Sequence, residues 1–145
     1  MTFTTETQRT QSGAQRKMNA DMDKLNKLTH EIIGAAIEVH RALGPRLLES
    51  SYHACLCREL VVREIPFEKE YPLPLHYKGV HLECGYRIDI VVAGQIVVEC
   101  KSVEALAPIH DAQLLTYLRI GGYKLGLLIN FNVVLLKDGI HRRIL

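Results

Sequence analysis

Three charged residues interrupt an apolar, β-branched stretch at residues 87–102, RIDIVVAGQIVVECKS. Asp89, Glu99 and Lys101 lie on what is predicted to be a strand, a turn and a second strand. Charged side chains are almost never fully buried unless they are paired or bind a metal. Three charged residues in a segment that is otherwise typical of a protein core therefore require an explanation. The explanation we favour is a bound divalent metal ion.

The register of this hairpin decides whether the two carboxylates meet. Strand alternation places Glu99 and Lys101 on one face. A two-residue turn would set Asp89 opposite Val98 rather than opposite Glu99. We therefore predict a three-residue connection around Gly94, or a bulge, which turns Asp89 toward Glu99.

The chemistry of these residue types has two interpretations. Oxygen-rich sites with few protein ligands and several waters suit Mg²⁺ or Mn²⁺, and a lysine beside such a site can orient water or offset phosphate charge. The alternative is a Glu99–Lys101 pair on a solvated strand face, which is common for an isolated E-x-K tripeptide. The presence of Asp89 on the preceding strand favours the metal site.

Two helices are predicted before the sheet. Apolar residues at three- and four-residue spacing indicate an amphipathic helix over residues 24–43, and a second helix is predicted over residues 47–63. Glu49 shares a stripe of the second helix with Tyr52, so we expect its carboxylate to point along the protein face. A glutamate near a helix start is also favoured by the helix dipole alone, and the pattern does not decide between these roles.

The rest of the chain predicts an α/β fold. Strands are predicted at residues 67–71, 73–77, 85–92, 96–101, 125–129, 133–136 and 140–144, with a helix at 110–120. These elements predict a mixed central sheet, antiparallel around Asp89 and Glu99 and flanked by helices on both faces, with a right-handed crossover after Lys101. Gln113 and Tyr117 are neighbours on the last helix, where they either hold a phosphate or position the lysine, or are simple polar surface positions.

Composition bounds the domain count and the partners. Residues 1–22 are polar and predict a disordered leader, and residues 23–145 predict a single domain. The net charge of +2 neither demands nor excludes a nucleic-acid partner. No apolar run is long enough to span a bilayer, and the four cysteines lack metal-ligand spacing, so we expect free thiols and a cytoplasmic protein without a membrane partner.

Several short segments carry a resemblance to a known family. The segments are LLESSY at 47–52, YRIDIVV at 86–92, VVECKS at 97–102, IHDAQLLTYL at 109–118 and GLLINFN at 126–132. Together they resemble the GxxExxY protein family of the PD-(D/E)XK nuclease superfamily, from about Leu28 to the C-terminus. Arg46 stands where the signature of that family opens with a glycine.

The resemblance implies a restriction-endonuclease-like fold and metal-dependent hydrolysis of phosphodiester bonds in nucleic acid. It implies that Asp89, Glu99 and the backbone carbonyl of Cys100 hold Mg²⁺ (or Mn²⁺), and that Lys101 is catalytic. The roles it implies for the remaining site residues are a further acidic group for Glu49, an active-site role for Gln113 and a supporting one for Tyr117.

Two other classes of function stay open at this point. The chain is alternatively a non-catalytic nucleic-acid-binding or assembly protein on a nuclease-like fold, a reading that Arg46 favours. A third interpretation is an oligomeric structural protein with a solvated acidic face and no metal affinity. The sequence does not distinguish DNA from RNA or single from double strands, and it does not indicate sequence specificity. We expect a possible homodimer, because so small a domain would need a second copy to span a duplex.

Overall fold

The computed structural model describes residues 5–145, with side chains from residue 12 onward. The helices in this part of the chain are α1 (Thr5–Leu43), α2 (Glu49–Val62) and α3 (Pro108–Gly121), with a short 3-10 helix at Leu136–Gly139. The strands are β1 (Phe67–Pro72), β2 (Leu75–Tyr77), β3 (Val80–Leu82), β4 (Arg87–Val92), β5 (Ile96–Lys101), β6 (Leu125–Asn130) and β7 (Ile140–Ile144). No helix in the described part of the chain combines the length and hydropathy that a membrane span requires.

Five strands form a mixed sheet in the order β1–β4–β5–β6–β7. Only β5 and β6 are parallel, and α3 connects them, while the other neighbouring pairs are antiparallel. Parallel neighbours need such a crossover, because a tight turn cannot bring the chain back to the same end of the sheet. The predicted mixed α/β sheet, antiparallel around Asp89 and Glu99, is confirmed.

The sheet lies between two helical layers, as predicted. α1 and α2 cover one face, and α3 covers the other. The first layer packs on alternate sheet residues such as Val98 and Ile129, and the second packs on Val97 and Leu128. The buried helix residues that form these contacts are Ile32, Ala35, Ala36, Val39, Tyr52, Leu56 and Leu60 on the first face and Leu114, Tyr117 and Leu118 on the second.

The connection between β4 and β5 has the predicted three residues. Val92 pairs with Ile96, and residues 93–95 form the loop. Ala93 and Gly94 both have positive φ angles, of 52° and 64°, which is the conformation that glycine adopts without steric cost. The resulting register continues to place Asp89 opposite Glu99.

Two local predictions are wrong. Residues 133–136 do not form a strand, because β5 and β7 pair with the two edges of β6 and this segment serves as the connection between β6 and β7. The sequence predicts no strand between residues 77 and 85, but Val80–Leu82 forms β3 and pairs with β2 in a separate two-stranded sheet. The three-residue strands of this hairpin carry little local signal.

The N-terminal segment is helical where the sequence predicts disorder. α1 begins at Thr5, and its side chains from Ser12 to Asp21 are exposed, so this part of the helix projects beyond the packed core. A helix that is already nucleated by a packed segment extends at little cost through Ala, Gln, Lys and Arg. Residues 1–4 lie outside the described residues, and the division into a leader and a domain stays a prediction.

Candidate metal-dependent active site

Asp89 and Glu99 interlock where β4 and β5 separate. The backbone pairing of these strands runs to Ile90 and Val98. Beyond that pair, the N–H of Asp89 donates to Oε1 of Glu99 at 3.1 Å, and the N–H of Cys100 donates to Oδ2 of Asp89 at 2.9 Å. The carboxylates therefore take over hydrogen bonds that the backbone ladder would otherwise make, and the two acids are held side by side.

The electrostatics of this pair favour a cation. Glu99 is 3% exposed, and Asp89 is half-buried. Burial, followed by the charge of Asp89, raises the pKa of Glu99 to about 8, and the opposing contributions of the Asp89 N–H and the Lys101 ammonium are smaller. The protein alone therefore supplies too little positive charge to keep both carboxylates ionised at neutral pH.

Lys101 ends β5 two residues after Glu99 and shares its face. It is half-buried, and the described residues place no carboxylate in ion-pair contact with its ammonium group. Its charge lowers the pKa of Glu99 only weakly relative to the effect of burial. The ammonium group is therefore near enough to the acidic pair to affect the pKa of Glu99, but it forms no ion pair with a carboxylate of the described residues.

Helix α3 brings a polar pair to the same site. Gln113 Nε2 donates to the Tyr117 hydroxyl at 3.0 Å, as their four-residue spacing allows. Tyr117 is 6% exposed, and its pKa is raised first by burial and then by the charge of Glu99. The Tyr117 hydroxyl therefore lies within electrostatic reach of Glu99. An active-site role for Gln113 and a supporting role for Tyr117 stay predictions.

Glu49 occupies a different environment from the one predicted. It is the first residue of α2 and is exposed, so the expectation that it points along the protein face rather than out to water is wrong. The physical reason is that the first turn of a helix extends past the surface that the later turns pack against. Its charge contributes, as the last of several causes, to the raised pKa of the buried Cys100 thiol, so it stands near the edge of the site. A role for Glu49 in the metal shell stays a prediction.

The turn before α2 keeps a glycine-type backbone although it contains an arginine. Arg46 has a φ of 74°, in the left-handed region that favours glycine. Its N–H donates to Asn132 Oδ1 at 3.0 Å. Tyr52 supports the same turn, because its hydroxyl donates to the Gly44 carbonyl and its ring stacks on Phe131 with centroids 4.6 Å apart. Arg46 therefore occupies a backbone conformation that glycine adopts without steric cost.

Sequence reasoning missed two residues that support the site. Asn130, which is 3% exposed, accepts hydrogen bonds from the N–H groups of Val103 and Asn132 and donates to the Val103 carbonyl, so it joins the ends of β5 and β6. His53 Nε2 is hydrogen-bonded to the Asp89 carbonyl at 3.1 Å and ties α2 to β4. The one available signal was a buried-strand asparagine at the carboxyl end of a parallel strand, where sites tend to form.

The donor set fits a hard divalent cation. The backbone N–H groups of Asp89 and Cys100 occupy one oxygen of each carboxylate, and the other oxygen of each has no backbone donor among residues 12–145. In the part of the chain that the structure describes, no three His, Cys, Asp or Glu side chains converge on a metal position. Two carboxylates, supplemented by backbone and water oxygens, are a ligand set that Mg²⁺ commonly has.

A mixed five-stranded sheet between helical layers, with Asp89, Glu99 and Lys101 on its central hairpin, is consistent with the restriction-endonuclease-like class of α/β protein. Residues 26–143 match the family model of the PD-(D/E)XK nuclease superfamily, and the chain belongs to that superfamily. No curated protein and no solved structure matches the chain. Membership of the GxxExxY family stays a prediction.

Proposed function

We propose that this protein is a metal-dependent nuclease, of the GxxExxY family, that hydrolyses phosphodiester bonds of nucleic acid. The observation that carries the proposal is the interlocked pair of Asp89 and the buried Glu99, two carboxylates held side by side with little compensating positive charge. An acidic face that is merely solvated would not bury one of its carboxylates to 3% exposure. Membership of a nuclease superfamily makes nucleic acid the expected partner.

The residues that would hold Mg²⁺ or Mn²⁺ are Asp89, Glu99 and the backbone carbonyl of Cys100. When bound, the ion would polarise the scissile phosphate and lower the pKa of a coordinated water. The hydrogen bonds from the N–H groups of Asp89 and Cys100 fix one oxygen of each carboxylate, so the other oxygens are oriented before any ligand arrives. This preorganisation reduces the entropy that ion binding must offset.

Lys101 supplies fixed positive charge beside the acidic pair. In the proposal its ammonium donates hydrogen bonds to the attacking water or to the phosphoryl oxygens, on which negative charge grows in the transition state. Preorganised charge at such a position typically contributes about 3–4 kcal/mol to transition-state stabilisation. The absence of a carboxylate in contact with Lys101, within residues 12–145, leaves the ammonium free for this role.

Gln113 contacts the substrate or the lysine in the proposal, and Tyr117 positions Gln113. The Tyr117 hydroxyl accepts the hydrogen bond from Gln113 Nε2, which holds the amide group in one orientation. Glu49 extends the metal shell through water from the edge of the site.

Cleavage of labelled single- and double-stranded DNA and RNA, with Mg²⁺ or Mn²⁺ added to the metal-free protein, tests the proposal. We expect cleavage of at least one substrate, and we expect it to be lost with chelator and in Glu99→Ala. The matched control is Glu38→Ala, which removes an exposed glutamate on α1 and should cleave like the wild type. No cleavage of any substrate, combined with no stabilisation by either metal, would favour the non-catalytic binding or assembly protein instead.

A further inference from the structure

An uncharged groove lies between α3 and the segment that leads into β4. It has a volume of about 220 Å³. The residues that line it include Leu75, Tyr86, Ile109, Gln113, Tyr117 and Ile120, and no charged side chain is among its lining residues within the described chain. Tyr86 and Ile109 are 47% and 69% exposed, so the groove displays apolar and aromatic surface to solvent.

The groove lies on the face of the sheet that carries the acidic pair. Gln113 and Tyr117 form part of its wall, and Tyr117 packs in one buried cluster with Val91 and Val97, which are two residues from Asp89 and Glu99 on β4 and β5 and therefore share their face. The charge of Glu99 and, more weakly, those of Asp89 and Tyr86 reach the Tyr117 hydroxyl. The groove and the acidic pair therefore lie on the same side of the sheet, and both are within electrostatic reach of the Tyr117 hydroxyl.

The chemistry of the groove selects the part of a nucleotide that it can bind. A groove that follows the phosphate backbone must carry Lys or Arg, and this one carries neither. Aromatic and aliphatic walls instead suit the face of a base, because stacking on a tyrosine contributes to binding whatever the base is. The Gln113 amide oxygen, which accepts no hydrogen bond from the described residues, is available to a donor on the edge of that base.

We infer that this groove binds an unpaired base of a nucleotide next to the scissile phosphate, so that the substrate is single-stranded or locally unpaired nucleic acid. The inference rests on the proposed function, since it takes the phosphate to lie at Asp89 and Glu99. A base inside a duplex is stacked on both faces and paired along its edge, so it has no free face to offer a lateral groove. Only an unpaired base can leave the stack and enter.

Binding without cleavage tests the inference separately from the nuclease activity. The affinity of the metal-free protein would be measured in chelator by fluorescence anisotropy, for a labelled single-stranded oligonucleotide and for an abasic strand of the same length and charge. We expect about tenfold tighter binding of the strand that carries bases. Repulsion between the carboxylates and phosphates acts equally on both strands, so it does not affect this ratio.

Tyr86→Ala should abolish the preference for the strand with bases while leaving the affinity for the abasic strand unchanged. The matched control is Tyr77→Ala, which removes a 63% exposed tyrosine on the β2–β3 hairpin outside the groove and should keep the wild-type ratio. Equal affinity for the two strands, no measurable binding of the strand with bases, or an equal effect of the two substitutions would overturn the inference. A groove that receives an apolar side chain of a protein partner would give that result.

The outcome for the nuclease proposal is independent of this result. Cleavage of abasic and intact strands at equal rates would remove the base-binding role and leave the nuclease. A tenfold binding preference that Tyr86→Ala removes, in a protein that cleaves nothing with Mg²⁺ or Mn²⁺, would keep the base-binding role and remove the nuclease.

Discussion

The backbone N–H of Asp89 donates a hydrogen bond to the carboxylate of Glu99, and the amide that follows Glu99 donates one to Asp89. Each carboxylate thus accepts a hydrogen bond from the backbone of the strand that carries the other acid. The arrangement keeps β4 and β5 apart at this point and concentrates two carboxylates in a partly buried position. Burial and the charge of Asp89 raise the pKa of Glu99 as a result.

The stability of the metal-free protein should fall as the pH rises from about 4.5 to about 8. The native state holds the proton of Glu99 up to a pKa of about 8, whereas the unfolded state releases it near the ordinary glutamate pKa of 4.5. The native state therefore binds more protons across this interval, and the free energy of unfolding decreases with pH. Urea denaturation in chelator at pH 5, 6.5 and 8 measures the slope.

Glu99→Gln is the control for this pH dependence, because glutamine keeps an oxygen that can accept from the Asp89 N–H but does not titrate. Its free energy of unfolding should change less between pH 5 and pH 8 than that of the wild type. Parallel curves for the two proteins would show that Glu99 is not the group responsible.

Mg²⁺ or Mn²⁺ should raise the melting temperature, and the shift should grow with pH. At a metal concentration about a hundred times the dissociation constant, binding to the native state alone contributes about 2.7 kcal/mol, which corresponds to about 5–10 °C for a domain of this size. Metal must displace the proton of Glu99, so the shift should be larger at pH 8.5 than at pH 6. Differential scanning fluorimetry measures it.

Asp89→Asn and Glu99→Gln should each remove most of this shift, and Glu38→Ala should retain it. A shift that survives both site substitutions would place the metal elsewhere on the protein.

Lys101→Met should leave the fold intact and lower the cleavage rate at saturating substrate by about a hundredfold or more. Methionine is similar in length to the lysine stem and removes only the charge and the donors, so circular dichroism and the melting temperature should be close to those of the wild type. Lys124→Met, at an exposed position just before β6, is the matched control. Full activity of the Lys101 variant would exclude the lysine from the mechanism.

Tyr117→Phe should reduce kcat/KM by about three- to tenfold, as expected for the loss of one hydrogen bond of about 1 kcal/mol to Gln113. Gln113→Ala should reduce it further. If Tyr117 acts by positioning Gln113, the double variant should be no worse than Gln113→Ala alone, which a double-mutant cycle measures. Additive losses would show instead that the two side chains act independently.

Arg46→Gly should stabilise the protein, because glycine adopts a φ of 74° without the cost of about 1–2 kcal/mol that other residues incur there, although its greater freedom in the unfolded chain offsets part of the gain. Arg46→Ala keeps the conformational cost and removes the guanidinium group. Comparing the cleavage rates and denaturation midpoints of the two variants separates the backbone role of this position from any contact that the side chain makes with substrate. A less stable glycine variant would show that the arginine side chain stabilises the turn.

The part of the site that the sequence predicts follows from the spacing of residues within single strands, helices and loops. Strand alternation and the length of the Gly94 loop were enough to place Asp89 opposite Glu99, since residues that face each other across a hairpin are fixed by the loop that joins them. The predicted strand at Ile96–Lys101 agrees with the structure at both ends. In the same way, helical spacing was enough to bring Gln113 into contact with Tyr117.

The missed features depend on contacts between distant parts of the chain. The apolar run at residues 133–136 has strand-forming residues, but whether it forms a strand depends on which segments pair with β6, and those segments are β5 and β7. The segment that contains Glu49 is helical as predicted. Glu49 is nevertheless exposed, because it lies at the start of the helix. Asn130 is tied to Val103 across 27 residues, a partnership that no local pattern encodes.

The sequence by itself determined the elements, the hairpin register and the identity of the charged residues, because each of these follows from spacing along a few consecutive residues. Only the tertiary structure decided how deeply Glu99 is buried, which oxygens the backbone N–H groups occupy, and that Tyr86 and Tyr117 border one uncharged groove. Burial and desolvation are properties of the whole packed chain, so the raised pKa of Glu99 and the uncharged groove arise only when the two helical layers close on the sheet.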